Sequence, residues 1–121
     1  MNSVKIGDRT VRLLVNAATD AYFEKIFGYS AILFQSGKDK TPDQLVDLYY
    51  KLGFVMAMQS YLDPNKMNRL KRTDFIKWVA EFDRGEYLDA IWKIRLIYDG
   101  FSNEQIEEYE KKMKEDESNG G

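Results

Sequence analysis

Two chemically versatile residue types are missing from this chain, which contains neither cysteine nor histidine. Without cysteine there are no disulfide bonds and no thiolate metal sites. Without histidine there is no imidazole ligand for zinc, and the commonest general base of enzymes is absent. Carboxylate pairs such as Glu107 with Glu108 remain, but acids of this kind usually lie on solvated helix surfaces. The sequence therefore predicts no catalytic residue, no metal site, no cofactor and a function other than catalysis.

Long apolar runs and excess positive charge are also missing. The longest nearly apolar stretch, Leu52 to Met58, is far shorter than the roughly 20 residues that cross a bilayer. The opening segment, MNSVKIGDRT, contains nothing that resembles a signal peptide. The net charge is −2, so no overall positive field attracts nucleic acid or anionic lipid. These absences predict a soluble, cytoplasmic protein without a membrane partner, and they argue against nucleic acid as a partner.

What the chain does contain is enough apolar material for one folded domain. Its 121 residues are 44% hydrophobic, and the aromatic residues are spread through most of the sequence, which argues against disorder. We expect a single helical domain over residues 1–117, which includes an N-terminal β-hairpin over residues 3–15. Residues 118–121, with their terminal glycine pair, are expected to form a flexible tail.

The hairpin is predicted from alternating apolar residues around a turn. Apolar side chains stand at Val4 and Ile6 before Gly7-Asp8 and at Val11 and Leu13 after it. A glycine in the first central position favours a two-residue type II′ turn. Because a two-stranded ribbon is marginally stable alone, it must lie against helices or pair with the edge of another chain.

The rest of the chain follows a helical period, with capping signals that place most of the boundaries. Asn16 and Gly28 are expected to cap the first helix, whereas residues 30–36 fit either a short helix, which we favour, or a short buried strand. The strongest signal is the capping box that begins at Thr41 with Pro42 at the first helical position. The helix that it opens becomes apolar on every side, which is typical of a central helix, and Pro64, after Asp63, is expected to end it.

Three further helices are predicted in the second half. Thr73 is expected to cap the first, the next follows Gly85 and stops at Gly100, and Ser102 with Gln105 opens the last, which ends near residue 117. The last helix has only a thin apolar stripe, formed by Ile106, Tyr109 and Met113. The fold class is therefore mainly α: a short N-terminal β-hairpin followed by a bundle of about five or six helices.

Two surfaces are candidates for contact with a partner. The connector that carries Lys66, Arg69 and Arg72 could contact phosphate or an acidic protein, but a solvated interhelical loop is the commoner interpretation. Its flanking acids resemble a calcium loop only superficially, because the central positions lack the required glycine and oxygen ligands. A second surface is predicted from surplus apolar residues on and near the helix after Gly85, a pattern equally well explained by helices that cover one another. The predicted protein-interaction residues are Trp92, Tyr98, Phe101, Tyr49, Lys66, Arg69 and Arg72.

The first half of the chain resembles the tail assembly chaperones of long-tailed bacteriophages. The likeness lies in the ribbon and helix of KIGDRTVRLLVNAATDAYFEKIFGYSAILF, with its Phe27-Gly28 turn, followed by TPDQLVDLYYKLGFVMAM. In the second segment, Leu45, Leu48 and Tyr49 match the Leu-x-x-Leu-Tyr pattern of the family. The second half of the chain fits only as helices without a fixed motif.

The resemblance implies a non-enzymatic role in tail assembly in the host cytoplasm. Such chaperones coat the helical tape measure protein, keep it soluble, help to recruit tail tube subunits and are absent from the finished virion. They are typically made in two lengths, the longer through a ribosomal frameshift, which would make Gly120 and Gly121 a candidate junction. A chaperone of this kind needs many weak copies of one apolar contact, so we expect a homo-oligomer. The competing hypothesis is a small regulatory or nucleic-acid-binding module that uses the connector over residues 66–72.

Overall fold

Two strands and seven helices follow one another in the computed structural model, which describes residues 2–119 and, for residues 117–119, the backbone only. The predicted mainly helical fold with an N-terminal hairpin is confirmed, with one or two helices more than expected. The elements are β1 (Asn2–Ile6), β2 (Arg9–Leu13), α1 (Ala18–Phe27), α2 (Ala31–Ser36), α3 (Pro42–Gln59), α4 (Pro64–Met67), α5 (Arg72–Val79), α6 (Arg84–Tyr98) and α7 (Asn103–Asn119).

The hairpin has the predicted two-residue turn, with Ile6 opposite Arg9 in an antiparallel register. Gly7 has a φ of 63°, whereas Asp8 keeps a negative φ, as a type II′ turn requires. One face of the ribbon is buried and packs on α3 and α6. The Leu14 N–H also donates to the Met56 carbonyl at the end of α3, at 3.0 Å. The ribbon is thus stabilised by helices of its own chain.

Helix α3 is the centre of the fold, as its apolar circumference predicts. Every residue from Leu52 to Gln59 is buried, and α1, α2, α5, α6 and β2 all contact this helix. Gly53 lets α6 approach closely, because a Cβ at this position would lie 2.5 Å from the Tyr87 hydroxyl oxygen. Tyr49, one of the predicted interaction residues, also lies in this core, with 3% of its surface exposed.

Most helix boundaries follow the predicted caps. The Thr41 hydroxyl accepts from the Gln44 N–H, and the Gln44 side chain accepts from the Thr41 N–H in return. Ser30 caps α2, which settles that segment as a short helix, and Gly28 ends α1 in the left-handed conformation. Asn16 stands one residue before the cap position of α1, and its side chain accepts from the Ala18 N–H.

Two boundaries in the middle of the chain were predicted wrongly. Pro64 does not end α3, which already stops at Gln59, but is the first residue of the short helix α4, with Asp63 as its cap. Thr73 does not cap α5, which already begins at Arg72. The Asp74 carboxylate there accepts from the Lys71 N–H at 2.8 Å, so the helix starts two residues earlier than Thr73 suggested.

Helix α7 continues to Asn119, about two residues beyond its predicted end. Residues 118 and 119 of the predicted tail are therefore helical, whereas the proposed junction at Gly120 and Gly121 lies outside the described residues. None of the helices in the described part of the chain combines the length and the apolar character needed to cross a bilayer.

Candidate protein-binding groove

A groove of about 540 Å³ separates α6 from α7 and is the candidate functional site. Its side chains come from the last two turns of α6, from the connection to α7 and from the first half of α7. The lining residues are Trp92, Arg95, Leu96, Asp99, Phe101, Gln105, Ile106, Glu108, Tyr109 and Lys112.

The connection between the two helices shapes the groove. Gly100 has a φ of 105°, and its N–H donates to the Ile97 carbonyl, while the Phe101 N–H donates to the Leu96 carbonyl at 2.9 Å. This pair of bonds is a Schellman motif, in which the residue after the glycine commonly contacts a residue in the last turn of the helix. Leu96 and Phe101 both line the groove, so the turn that ends α6 also builds part of the apolar wall.

Helix α7 is held against α6 at few points, which leaves the groove open. Within residues 103–116 of α7, Ile106 alone is buried, with 3% of its surface exposed, and Lys93 forms an ion pair with Glu110 at 3.2 Å. In contrast, the apolar residues of the lining remain accessible: Trp92 is 40% exposed, Phe101 44% and Tyr109 55%. Accessible aromatic side chains grouped in a concave surface are typical of a site that binds a protein or an apolar ligand.

The charges at the rim have both signs. Arg95 forms a long ion pair with Asp99, at 3.8 Å, while Glu108 and Lys112 lie on the α7 side. Within residues 2–119, no group of three or more acidic side chains is arranged to hold a metal ion. The groove therefore offers apolar contact bordered by mixed charge, which suits an amphipathic helix better than a uniformly charged ligand.

The structure brings two of the predicted interaction residues into this groove, Trp92 and Phe101. Tyr98 lies on a different face of α6, where its hydroxyl donates to the Asp20 carboxylate at 2.5 Å and so joins α6 to α1. Partial burial raises the pKa of Tyr98 well above its usual value, and the bond to Asp20 raises it further. Tyr98 therefore contributes to the stability of the fold rather than to the groove.

Tyr49 must also be removed from the candidate surface. Its ring is buried in the core, and its hydroxyl accepts from the Gln35 side-chain amide at 2.9 Å. Burial raises the pKa of the Tyr49 hydroxyl, an effect that the charge of Arg95 opposes. Contacts with Gln35 of α2 and Arg95 of α6 show that these two helices cover this side of α3.

The basic connector is divided between two roles. Lys66 and Arg69 are exposed, as a charged surface requires. The Arg72 guanidinium instead donates to the Phe27 carbonyl at the end of α1. A cation at this point satisfies a free carbonyl and is favoured by the helix dipole, so Arg72 joins α5 to α1.

Sequence reasoning did not assign Leu96 and Tyr109 to the site, although both line the groove. A signal was present for Tyr109, since it belongs to the thin stripe of α7 that has too few apolar residues to be a core face. Leu96 could not be separated from the other apolar residues of α6, because the arc of that helix faces several neighbours at once.

Comparisons of the chain with models of protein families, with curated protein sequences and with solved structures found no match.

Proposed function

We propose that this protein is a tail assembly chaperone of the long-tailed bacteriophage type. It would bind and solubilise the tape measure protein and help to recruit tail tube subunits, without catalysing a reaction. The observation that carries the proposal is the open aromatic groove between α6 and α7. The resemblance of the first half of the chain to such chaperones supplies the identity of the client.

The groove suits a long helical client for two physical reasons. Helix-in-groove recognition uses a few apolar anchors on one face of the ligand helix, and Trp92, Phe101 and Tyr109 offer accessible rings for such anchors. The mixed rim charges fit the polar flanks of many different helices. A shallow site of this kind binds weakly, so effective coating of the client requires several copies of the chaperone.

The biological setting belongs to the same proposal. We expect a homo-oligomer in the host cytoplasm that is absent from the mature virion, and a longer product made through a frameshift near the end of this reading frame. Genome context tests this part: a tape measure gene directly downstream, together with repeated bases at the last codons, is expected. A genome with neither feature contradicts the assignment.

Co-expression with the downstream tape measure protein tests the function of the groove. The wild-type chain is expected to keep that protein in the soluble fraction, and Trp92→Ala is expected to shift most of it to the pellet. Ile76→Ala is the matched control, because Ile76 is an exposed apolar residue, 60% accessible, on α5. Equal solubility with the wild type and Trp92→Ala contradicts the assignment of the groove.

The competing nucleic-acid-binding function draws on the exposed Lys66 and Arg69. It requires DNA or RNA affinity that falls steeply with salt, because the released counterions dominate such binding. Because Arg72 is engaged on the Phe27 carbonyl, we expect no measurable affinity for duplex or single-stranded DNA even at low salt, about 50 mM. Clear binding that Lys66→Gln weakens would favour the competing function.

A further inference from the structure

The outer edge of β2 has backbone groups that the fold leaves without partners. In a two-residue hairpin the residues that flank the turn, Ile6 and Arg9, form a hydrogen-bonded pair. Hydrogen-bonded and non-bonded pairs then alternate, so the N–H and C=O groups of Thr10 and Arg12 point away from β1. Leu14 confirms this phase, because its N–H points to the same side and reaches the Met56 carbonyl.

On the outer edge of β1, by contrast, the outward backbone groups of one residue have hydrogen-bond partners. Ser3 is the residue opposite Arg12, and its N–H donates to the Asn103 side-chain oxygen at 2.8 Å. The Asn103 amide in turn donates to the Ser3 carbonyl at 2.7 Å, so one side chain covers both outward groups. Outside the pairing of β1 with β2, neither Thr10 nor Arg12 forms a hydrogen bond with the described part of the chain. The β2 edge is therefore open at Arg12, opposite Ser3, where Asn103 covers the β1 edge.

A second groove, of about 420 Å³, runs beside this open edge. One wall is β2 itself, and the other is formed by the end of α3 and by α5 and its following turn. Tyr61 is 67% exposed there, whereas Ala57 and Trp78 line the groove but are largely buried, so Tyr61 is the main accessible apolar side chain. An extended chain is the ligand shape that can pair with a strand edge while placing alternate side chains on a groove floor.

The charges around the β2 edge indicate which side chains a bound extended segment would carry. Thr10 and Arg12 face solvent together with Lys5 of β1, and neither Lys5 nor Arg12 forms an ion pair with any described residue. Arg9 is already engaged, at 3.4 Å from Glu81 and over the ring of Phe82. Antiparallel pairing with β2 of a second copy would bring the arginines of the two strands together, which is unfavourable.

We propose that the β2 edge binds an extended acidic segment of a partner protein as a third strand of the sheet. Its backbone would pair with Thr10 and Arg12, its acidic side chains would face Arg12 and Lys5, and its alternate apolar side chains would contact Tyr61. This site is separate from the groove between α6 and α7 and does not depend on the proposed function.

The test uses a fluorescein-labelled peptide of alternating glutamate and valine, with anisotropy as the measure of binding. Thr10→Pro removes an outward N–H and leaves the bonds between β1 and β2 in place, so we expect affinity to fall about threefold to tenfold. Lys38→Gln is a control for charge, because Lys38 is exposed in the loop after α2, outside the groove beside β2, and it is expected to leave binding unchanged. Arg12→Gln is expected to weaken binding and reduce its dependence on salt.

The probe itself supplies an independent check, since Thr10→Pro could also destabilise the hairpin. N-methylation of the peptide at the glutamates removes the same backbone bonds from the ligand, and we expect the same loss with the wild-type protein. The glutamates are chosen because residues opposite Thr10 and Arg12 in an antiparallel strand carry their side chains on the same face as these two residues. Amide resonances of Thr10 and Arg12 should shift on titration with the unmodified peptide.

Several results would overturn the proposal. These are full affinity for the N-methylated peptide, equal affinity for a peptide with lysine in place of glutamate, and no binding at millimolar peptide. A dimer that dissociates in Thr10→Pro while no peptide binds would instead assign the edge to a second copy of the chain.

Discussion

At the scale of single residues, Gly53 shows how packing can reverse a local preference. Alanine is a better helix former than glycine by about 0.5–1 kcal/mol. A Cβ at Gly53 would nevertheless lie 2.5 Å from the Tyr87 hydroxyl oxygen and 3.1 Å from the Ile94 Cδ1 atom. The hydroxyl cannot withdraw freely, because it donates to the Tyr50 carbonyl at 2.8 Å. Gly53 is therefore required by the contact between α3 and α6.

Gly53→Ala is predicted to lower the free energy of unfolding by about 1–3 kcal/mol, in the range of overpacked cores. Urea denaturation at neutral pH measures the change. Gly85→Ala is the matched control, because Gly85 is an exposed residue in the first turn of α6, and we expect it to be nearly neutral. A variant at Gly53 as stable as the wild type would show that α6 can move away from α3 at little cost.

Tyr98 gives the fold a dependence on high pH. Its pKa in the folded protein is raised by burial and by the bond to Asp20, and the negative charge of Asp99 acts in the same direction. The contribution of the neutral Tyr98 hydroxyl to the free energy of unfolding is therefore fully present below the pKa of tyrosine in the unfolded chain, about 10. This contribution is lost as the pH rises above that value.

Tyr98→Phe is predicted to lower the free energy of unfolding by about 1 kcal/mol at pH 7, the usual net value of one hydrogen bond. The difference between the wild type and the variant should shrink as the pH rises above about 10, where Tyr98 ionises in the unfolded chain. Denaturation curves at several pH values test both statements. Tyr109→Phe is the control, because Tyr109 is 55% exposed and its hydroxyl has no described partner. A difference that stays constant up to pH 11, about one unit above the usual tyrosine pKa, contradicts this account.

At the scale of elements, one side chain joins the first strand to the last helix. Asn103 opens α7, and its amide bonds both outward groups of Ser3, while its own N–H donates to the Asn2 side chain at 3.2 Å. Over residues 103–116, helix α7 has few other attachments, since Ile106 is the one buried residue there and the ion pair of Lys93 is partly exposed.

Asn103→Ala is predicted to lower the free energy of unfolding by about 1–2 kcal/mol, because it leaves two backbone groups of β1 without partners. The larger effect should be local: hydrogen exchange is expected to accelerate at the Ser3 amide and through α7 while the core of α3 stays protected. Asn65→Ala serves as the control, because Asn65 is exposed on α4 and makes no described hydrogen bond. Unchanged exchange in α7 would show that Ile106 suffices to hold the helix.

Elements with local signals could be predicted from sequence, and those set by distant contacts could not. The caps at Thr41 and Ser30 are hydrogen bonds between residues three apart, so spacing alone reveals them. The start of α5 depends on the Asp74 carboxylate, which accepts from the Lys71 N–H. The sequence favoured Thr73 as the cap instead, because threonine is a preferred residue type at that position. Of the predicted interaction residues, Trp92 and Phe101 are exposed in the groove and remain candidates, whereas Tyr49 is buried. The burial of Tyr49 depends on contacts with two other helices, α2 and α6, and the apolar period of α3 does not reveal such contacts.

At the scale of the whole molecule, the two tryptophans report on different surfaces. Trp78 is 8% exposed and packs against Phe54, Phe82 and Tyr87, whereas Trp92 is 40% exposed in the groove between α6 and α7. The net charge of −2 gives little long-range repulsion between copies, so apolar contact can govern association. If the proposed homo-oligomer forms through this groove, Trp92 loses contact with water as the protein concentration rises and Trp78 does not.

Single-tryptophan variants turn this difference into a prediction. In Trp78→Phe, the emission of Trp92 is expected to shift to shorter wavelength between micromolar and millimolar protein, in parallel with a rising mass in sedimentation equilibrium. In Trp92→Phe, which retains Trp78, the wavelength should stay constant. Circular dichroism first establishes that both variants are folded.

Because Trp78 also lines the groove beside β2, a shift seen with Trp78 and not with Trp92 would move the self-association surface to the hairpin edge. A constant mass over the same range would contradict the homo-oligomer itself.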